Sequence, residues 1–237
     1  MSFGFFTSTK KIGSSGLLQG YADHHCHLLP GVDDGVQEQS ETLALLQMMQ
    51  DQGVKDVWLT PHVMQEMPNL PGDLQAGFTQ LETAASSFDH PHLHLAAENM
   101  LDAGFLLENA CQHILPGNHI LVETSYFTPP FNMKSVLNDI LKAGYYPLLA
   151  HPCRYEYMTE RDYEQLHDMN VHFQLNLPVL TGMYGPVVEK KAFWLLDHGY
   201  YLCSGTDTHN QVNYQRFLDS RLSSKRIKQL QNFLYNI

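Results

Sequence analysis

Short apolar runs alternate with longer amphipathic stretches along this chain, and that rhythm predicts its elements. Strand-like runs fall at 21–25, 56–60, 92–97, 119–123, 146–150, 171–175 and 200–204. Apolar runs this short, bounded by polar residues, glycine or proline, read as buried strands. Helical spacing fills the gaps. Residues 40–52 carry Leu43, Leu46 and Met49 on one side, and Gly53 follows as a stop. Residues 135–142 carry Val136, Leu137, Ile140 and Leu141 before Gly144, and 187–197 end near Gly199. Weaker helical patterns cover 75–87 and 162–169, and 222–236 closes the chain. Segments 68–72 and 128–132 read as loop insertions. Strands alternating with helices predict an α/β architecture with parallel strands and right-handed crossovers.

The polar residues at the ends of these runs carry the chemistry. His25, His27, Asp34, His62, Glu98, Glu123, His151, Asp207 and His209 each sit at or just beyond a strand end. His25 and His27 are two apart, so on a strand both rings face one side. Pro61 enforces an extended entry to His62. Ionised carboxylates are rarely buried without partners, so ligation explains Glu98 and Glu123 economically. A doubly wound sheet would gather its site at one switch point. Here six of seven strands deliver candidates, which suits a closed barrel whose C-terminal strand ends meet at one mouth. Imidazoles and carboxylates without cysteine fit a polynuclear site for Mn, Fe or Zn. The other nine histidines show no such placement and are read as structural.

Composition narrows the partners. Hydrophobic residues make up 43% of the chain and charged residues 16%, ordinary for a globular protein. A net charge of −11 argues against nucleic acid. No apolar run approaches the roughly 18 residues of a membrane span. Phe3, Phe5 and Phe6 precede Lys10 and Lys11, the reverse of a secretory signal, so a cytoplasmic location is expected. Residues 1–20 read as an N-terminal extension packed on the surface of a domain spanning 21–237. Cys26, Cys111, Cys153 and Cys203 form no C-x-x-C pair and read as reduced thiols. The residues six positions after them are Val32, Gly117, Thr159 and His209, so the C-x5-R motif of thiolate phosphatases is missing.

The stretch Tyr21-Ala-Asp-His-His-Cys-His-Leu-Leu-Pro-Gly-Val-Asp-Asp-Gly35 resembles the signature of the PHP (polymerase and histidinol phosphatase) superfamily. Its Pro-Gly-Val-Asp-Asp-Gly continuation is similar to the bacterial tyrosine phosphatases of capsule and exopolysaccharide operons. Thr60-Pro-His62, Ala97-Glu98, Val122-Glu123-Thr-Ser125, Ala150-His-Pro-Cys-Arg-Tyr155 and Ser204-Gly-Thr-Asp-Thr-His-Asn210 agree with it. The resemblance spans about 21–210. It implies a distorted (β/α)7 TIM-like barrel, three divalent ions with manganese foremost, and hydrolysis of phosphotyrosine on proteins. The implied partner is the tail of a bacterial tyrosine kinase controlling capsule or exopolysaccharide synthesis. Arg154, three residues after His151, is expected to bind the phosphate bidentately. The family's second arginine, shortly after Asp-x-His, has Arg216 as its counterpart. The starting segment is longer than the family's usual one. Tyr126, Phe127 and Phe131 are candidates to stack on a substrate ring. No residue stands out as the general acid. A small-molecule phosphatase of the histidinol-phosphatase type is the alternative, and a non-catalytic scaffold the reading from another class.

Overall fold

The computed structural model describes residues 8–235. In chain order its elements are β1 (Thr9–Lys11), β2 (Ala22–Cys26), α1 (Gln39–Asp51), β3 (Asp56–Leu59), β4 (His62–Val63), α2 (Pro71–Ala85), β5 (His92–Leu95) and β6 (Glu98–Met100). There follow α3 (Leu107–Ala110), β7 (His119–Glu123), α4 (Met133–Lys142), β8 (Tyr146–Leu149), α5 (Glu160–Asp168), β9 (His172–Asn176) and α6 (Pro186–Asp197). The chain continues through β10 (Tyr201–Gly205), α7 (Gln211–Asp219), β11 (Arg221–Ser223) and α8 (Ser224–Leu234). The seven expected strands are all present, in a mixed α/β fold. Phe3, Phe5 and Phe6 lie outside the described residues.

Two parallel sheets carry these strands, ordered β2-β3-β5 and β10-β9-β8-β7-β6-β4. Pro61 separates β3 from β4, because its missing amide interrupts the ladder. The sheets meet along two seams. At one the chain itself crosses: β3 runs through Thr60 and Pro61 into β4, and β5 runs through Ala96 and Ala97 into β6. At the other, Asp207 N donates to His25 O at 2.7 Å and His27 N to Thr208 O at 2.9 Å. A small cluster (Ala96, Leu115, Leu121, Leu148, Ala150 and Cys203, with Trp58 against it) lies apart from the main core.

The main core is where helices bury their apolar stripes on the sheets. In α1 the buried residues are Thr42, Leu45, Leu46 and Met49, so the expected Leu46 and Met49 face the core and Leu43 packs at its margin, partly buried. Gly53 ends this helix at φ 79°, a conformation that a side chain would strain. Three local expectations change. Segment 68–72 runs into a helix, since Pro71 is the first residue of α2, where a missing amide costs nothing. The last helix starts only at Ser224, because 221–223 pair antiparallel with Thr9–Lys11. Helix α7 was not anticipated, although Asn210 caps it through Asn213 N at 2.9 Å and Tyr214, Phe217 and Leu218 form its buried face. Ile12, Leu17 and Leu18 are buried in the main core. Among the described residues no helix is long and apolar enough to cross a membrane.

Gly205, at the end of β10, allows β2 to approach closely. A Cβ there would overlap the Cβ and backbone of His25. Gly205→Ala is expected to destabilise by about 1–3 kcal/mol, as overpacking does. Gly72→Ala, where an added methyl meets nothing within 4 Å, is expected to stay within about 0.5 kcal/mol of the parent. Denaturant melts of the two variants check this; equal stability would refute the close-approach argument.

Candidate metal centre

Side chains from the C-terminal ends of the strands converge here, and their partners fix their orientation. Gln174 on β9 donates its Nε2 to His24 O at 3.2 Å, which turns its Oε1 toward His25 Nδ1 at 2.6 Å. The His25 Nδ1–H is therefore spent on Gln174, and Nε2 carries a bare lone pair. His27 is held alike, its Nδ1 donating to Asp33 Oδ2 at 2.8 Å. The two bare Nε2 atoms then face each other at 3.1 Å. Glu98 Oε2 lies 3.0 Å from the first and 3.2 Å from the second. Asp207 Oδ1 lies 3.5 and 3.4 Å from them. Lone pairs so crowded and so deeply buried require a cation or added protons.

The remaining candidates join this nucleus. His62 Nδ1 lies 3.3 Å from Glu98 Oε2 and 3.0 Å from Glu123 Oε1. Yet His62 Nδ1 and Glu123 Oε1 are both buried and form no well-aligned hydrogen bond. Asp34, exposed at the mouth, lies 3.4 Å from Nε2 of both His62 and His209. His209 spends its Nδ1–H on the Asp207 carbonyl at 2.9 Å, again leaving Nε2 bare. His151 Nε2 reaches Glu98 Oε1 at 3.1 Å. Three overlapping sets result: His27, Asp34, His62 and His209; His25, His27, Glu98 and Asp207; His62, Glu98 and Glu123. Within each set the ligand atoms lie within 4.8 Å of one another. The structure thus brings all nine candidates together. Orphaned buried atoms and bare imidazole nitrogens beside carboxylates fit divalent ions.

Backbone strain marks the same place. His151 and Asp207 adopt positive φ values of 34° and 54°. Such non-glycine conformations cost energy and persist where the surroundings impose them. After His151 a tight turn, Pro152–Arg154, brings the Arg154 Nη1 to Asp207 Oδ2 at 2.7 Å, where Asn176 Nδ2 also donates at 2.9 Å. Asp207 therefore shows one oxygen to the imidazoles and the other to a cation and an amide. Arg216 is exposed on α7, one turn beyond Asn213, with no ion pair to any cluster residue among those described. The buried Tyr214 and Phe217 fix the inward face of that helix and leave Arg216 outside. Phe127 and Phe131 stand exposed, whereas Tyr126 packs on Arg154.

Several participants escaped the sequence reading. Asp33 is buried, and beyond His27 it accepts from the amides of Gly35 and His62 at 2.9 Å each. Burial alone would raise its pKa, but His27 and those amides bring it down to about 2. Gln174 and Asn176 orient ligands from β9, the one strand with no candidate of its own; two amides two apart at that strand's end were the available signal. Asp23 ties β2 to the segment after β10 through Thr206 N at 2.8 Å and Thr206 Oγ1 at 2.5 Å. The other histidines lie elsewhere; His119 Nε2 and His172 Nδ1, for example, meet at 2.7 Å at the starts of β7 and β9.

Comparison with known proteins now bears on this arrangement. The sequence profile of the capsular polysaccharide synthesis family CpsB/CapC matches residues 21–227. Tyrosine-protein phosphatase CpsB of Streptococcus pneumoniae is 29% identical over 84% of this chain and 84% of its own. Tyrosine-protein phosphatase YwqE of Bacillus subtilis is 24% identical over 79% of this chain and 77% of its own. A solved structure from the work on YwqE and CpsB, described there as metal-dependent tyrosine phosphatases, superposes with a TM-score of 0.77 at 21% identity over 91% of each chain. At that identity the superposition shows a shared fold.

The electrostatics predict how metal-free protein responds to pH. Burial disfavours charge on His25, but Glu98 and Asp207 outweigh it and hold its pKa up at about 8. Burial likewise opposes charge on Glu98, yet His25 and His151 keep it well below the usual carboxylate range. A folded pKa above the unfolded value near 6.5 gives stability that is full below about pH 6.5 and lost as pH rises through 8. Chelated protein should therefore lose on the order of 2 kcal/mol across that window. Metal-loaded protein should lose less, because cations replace the protons. Thermal melts at pH 6 and 8.5, with and without chelator, check this; a chelated protein more stable at pH 8.5 would contradict it.

Proposed function

The chain belongs to the CpsB/CapC capsular polysaccharide synthesis family, and on that premise we propose that it hydrolyses phosphotyrosine on proteins in a metal-dependent reaction. The observation that carries the proposal is the three overlapping ligand sets sharing His27, His62 and Glu98. They support three divalent ions, with manganese foremost and iron or zinc as alternatives, since imidazole and carboxylate oxygen suit all three. The substrate in this reading is the phosphorylated tail of a bacterial tyrosine kinase governing capsule or exopolysaccharide synthesis, which implies the cytoplasm. The small-molecule alternative draws no support from the relatives named above. We also take the strands to close into a distorted (β/α)7 barrel over residues 21–237, with 1–20 as its extension. The chain crossings at one seam and the Asp207–His25 and His27–Thr208 hydrogen bonds at the other support that closure.

When bound, divalent ions of this kind activate water at neutral pH and neutralise phosphate charge. The protein's own groups do the rest. Gln174, Asp33 and the Asp207 carbonyl each take an Nδ1–H, so three imidazoles point Nε2 inward in one tautomer. Arg154, with two donors in a planar fork, binds the phosphate and stabilises the charge that grows on it. A thiolate route is disfavoured in the fold as in the sequence: burial pushes Cys153 and Cys203 up to about 12 and Cys26 well above its ordinary value.

Metal-loaded protein is expected to hydrolyse a phosphotyrosine peptide and an aryl phosphate, with little turnover of phosphoserine or histidinol phosphate. Chelation should abolish the activity and alkylation of the folded protein should spare it. His25→Ala and Asp207→Ala should lose metal and nearly all turnover. Arg154→Ala should keep its metal yet slow turnover by about 2–4 kcal/mol in barrier, the scale of one lost charge-stabilising donor. Metal analysis beside kinetics decides; preference for histidinol phosphate, or thiol sensitivity with metal still bound, would overturn the proposal.

A further inference from the structure

Arg154 is fixed by more than its ion pair. The contact with Asp207 runs through a single nitrogen, Nη1, at 2.7 Å. A one-point contact leaves the guanidinium free to rotate about it, and arginine carries much rotamer freedom. Two aromatic rings remove that freedom. The Tyr126 ring centroid lies 4.5 Å from Arg154 Cζ and the Tyr184 centroid 4.8 Å. Both are within cation–π range. The rings come from unrelated places: Tyr126 from the loop after β7, Tyr184 from the loop between β9 and α6. Neither belongs to the ligand set, so metal binding does not explain their positions.

Tyr184 and Arg154 also line two cavities at once. One, of about 130 Å³, is polar and includes Asp207, Thr208, His209 and Asn213. The other, of about 550 Å³, is lined by Glu156, Pro186, Val187 and Lys191 among others. The smaller adjoins the ligand cluster. The larger opens away from it along α6.

We propose that Tyr126 and Tyr184 are positioning residues that clamp the Arg154 guanidinium, turning its unengaged N–H groups toward the substrate phosphate. The inference rests on the phosphatase reading for the identity of that phosphate. The clamp lowers the cost of binding because the arginine is ordered before substrate arrives. The ring face performs this task and the phenol hydroxyl does not. Phenylalanine should therefore substitute at either position, and leucine, of similar bulk without a π face, should not.

The test uses full-length, metal-loaded protein, with p-nitrophenyl phosphate and inorganic phosphate as probes. Tyr184→Leu and Tyr126→Leu are each expected to lose roughly 5- to 30-fold in kcat/KM, the scale of one desolvated cation–π contact. Tyr184→Phe and Tyr126→Phe should recover most of it. Affinity for inorganic phosphate, measured by calorimetry, should fall with the leucine variants while metal content stays constant. A second experiment separates a clamp from general packing. Arg154→Ala leaves both rings in place, so added guanidinium chloride, well below denaturing concentration, should restore part of the lost turnover. Arg154→Ala combined with Tyr184→Leu should show no such rescue. Unchanged phosphate affinity and kinetics in the leucine variants, or equal rescue with and without the ring, would overturn the clamp. If the parent protein lacks phosphatase activity altogether, the functional reading fails, and the phosphate-affinity comparison still decides the clamp.

Discussion

Glu98 sets the terms for the whole molecule. Its carboxylate is fully buried, and nitrogens of His25, His27, His62 and His151 lie within 3.3 Å of it. A buried carboxylate without compensation is very costly, and neutral imidazoles alone do not supply the charge it needs. Strand ends from both sheets have to reach one point to surround it. The seams between the sheets follow from that demand, as do the strained backbones of His151 and Asp207. The close approach at Gly205 serves it too, because a side chain there would push His25 away from Glu98.

Around this nucleus lies a layer that decides which lone pairs face inward. Gln174, Asp33 and the Asp207 carbonyl do no chemistry, yet each removes one of two tautomers from a ligand histidine. An imidazole free to choose would present an N–H as readily as a lone pair. Asp207 faces both ways, toward His25 and His27 with one oxygen and toward Arg154 and Asn176 with the other. It mechanically couples the groups that hold cations to the group that meets phosphate.

Much of this was legible in the sequence because it follows from spacing. Strand ends are marked by where an apolar run stops, and ligands must sit there to share a mouth. His25, His62, Glu98, Glu123 and His151 were found that way. Asp33 was not, since two adjacent aspartates look alike until folding buries one and leaves Asp34 at the mouth. Gln174 was passed over because a neutral amide carries no charge, and only its spacing of two from Asn176 at the end of β9 marked it. Arg216 was reached by analogy of position, and the facing of α7, set by Tyr214 and Phe217, leaves it outside the cluster. Tyr184 was invisible for another reason: its role depends on where two loops distant in sequence happen to cross.

The pairing of β1 with β11 carries a topological consequence. Three residue pairs, Thr9 with Ser223, Lys10 with Leu222 and Lys11 with Arg221, fasten the two flanks of the chain to each other. The span between residues 11 and 221 is thus a loop closed by a short antiparallel ribbon. Trimming either flank frees the other, uncovers Leu222 and removes the tether that Ile12 N makes to Ser220 O.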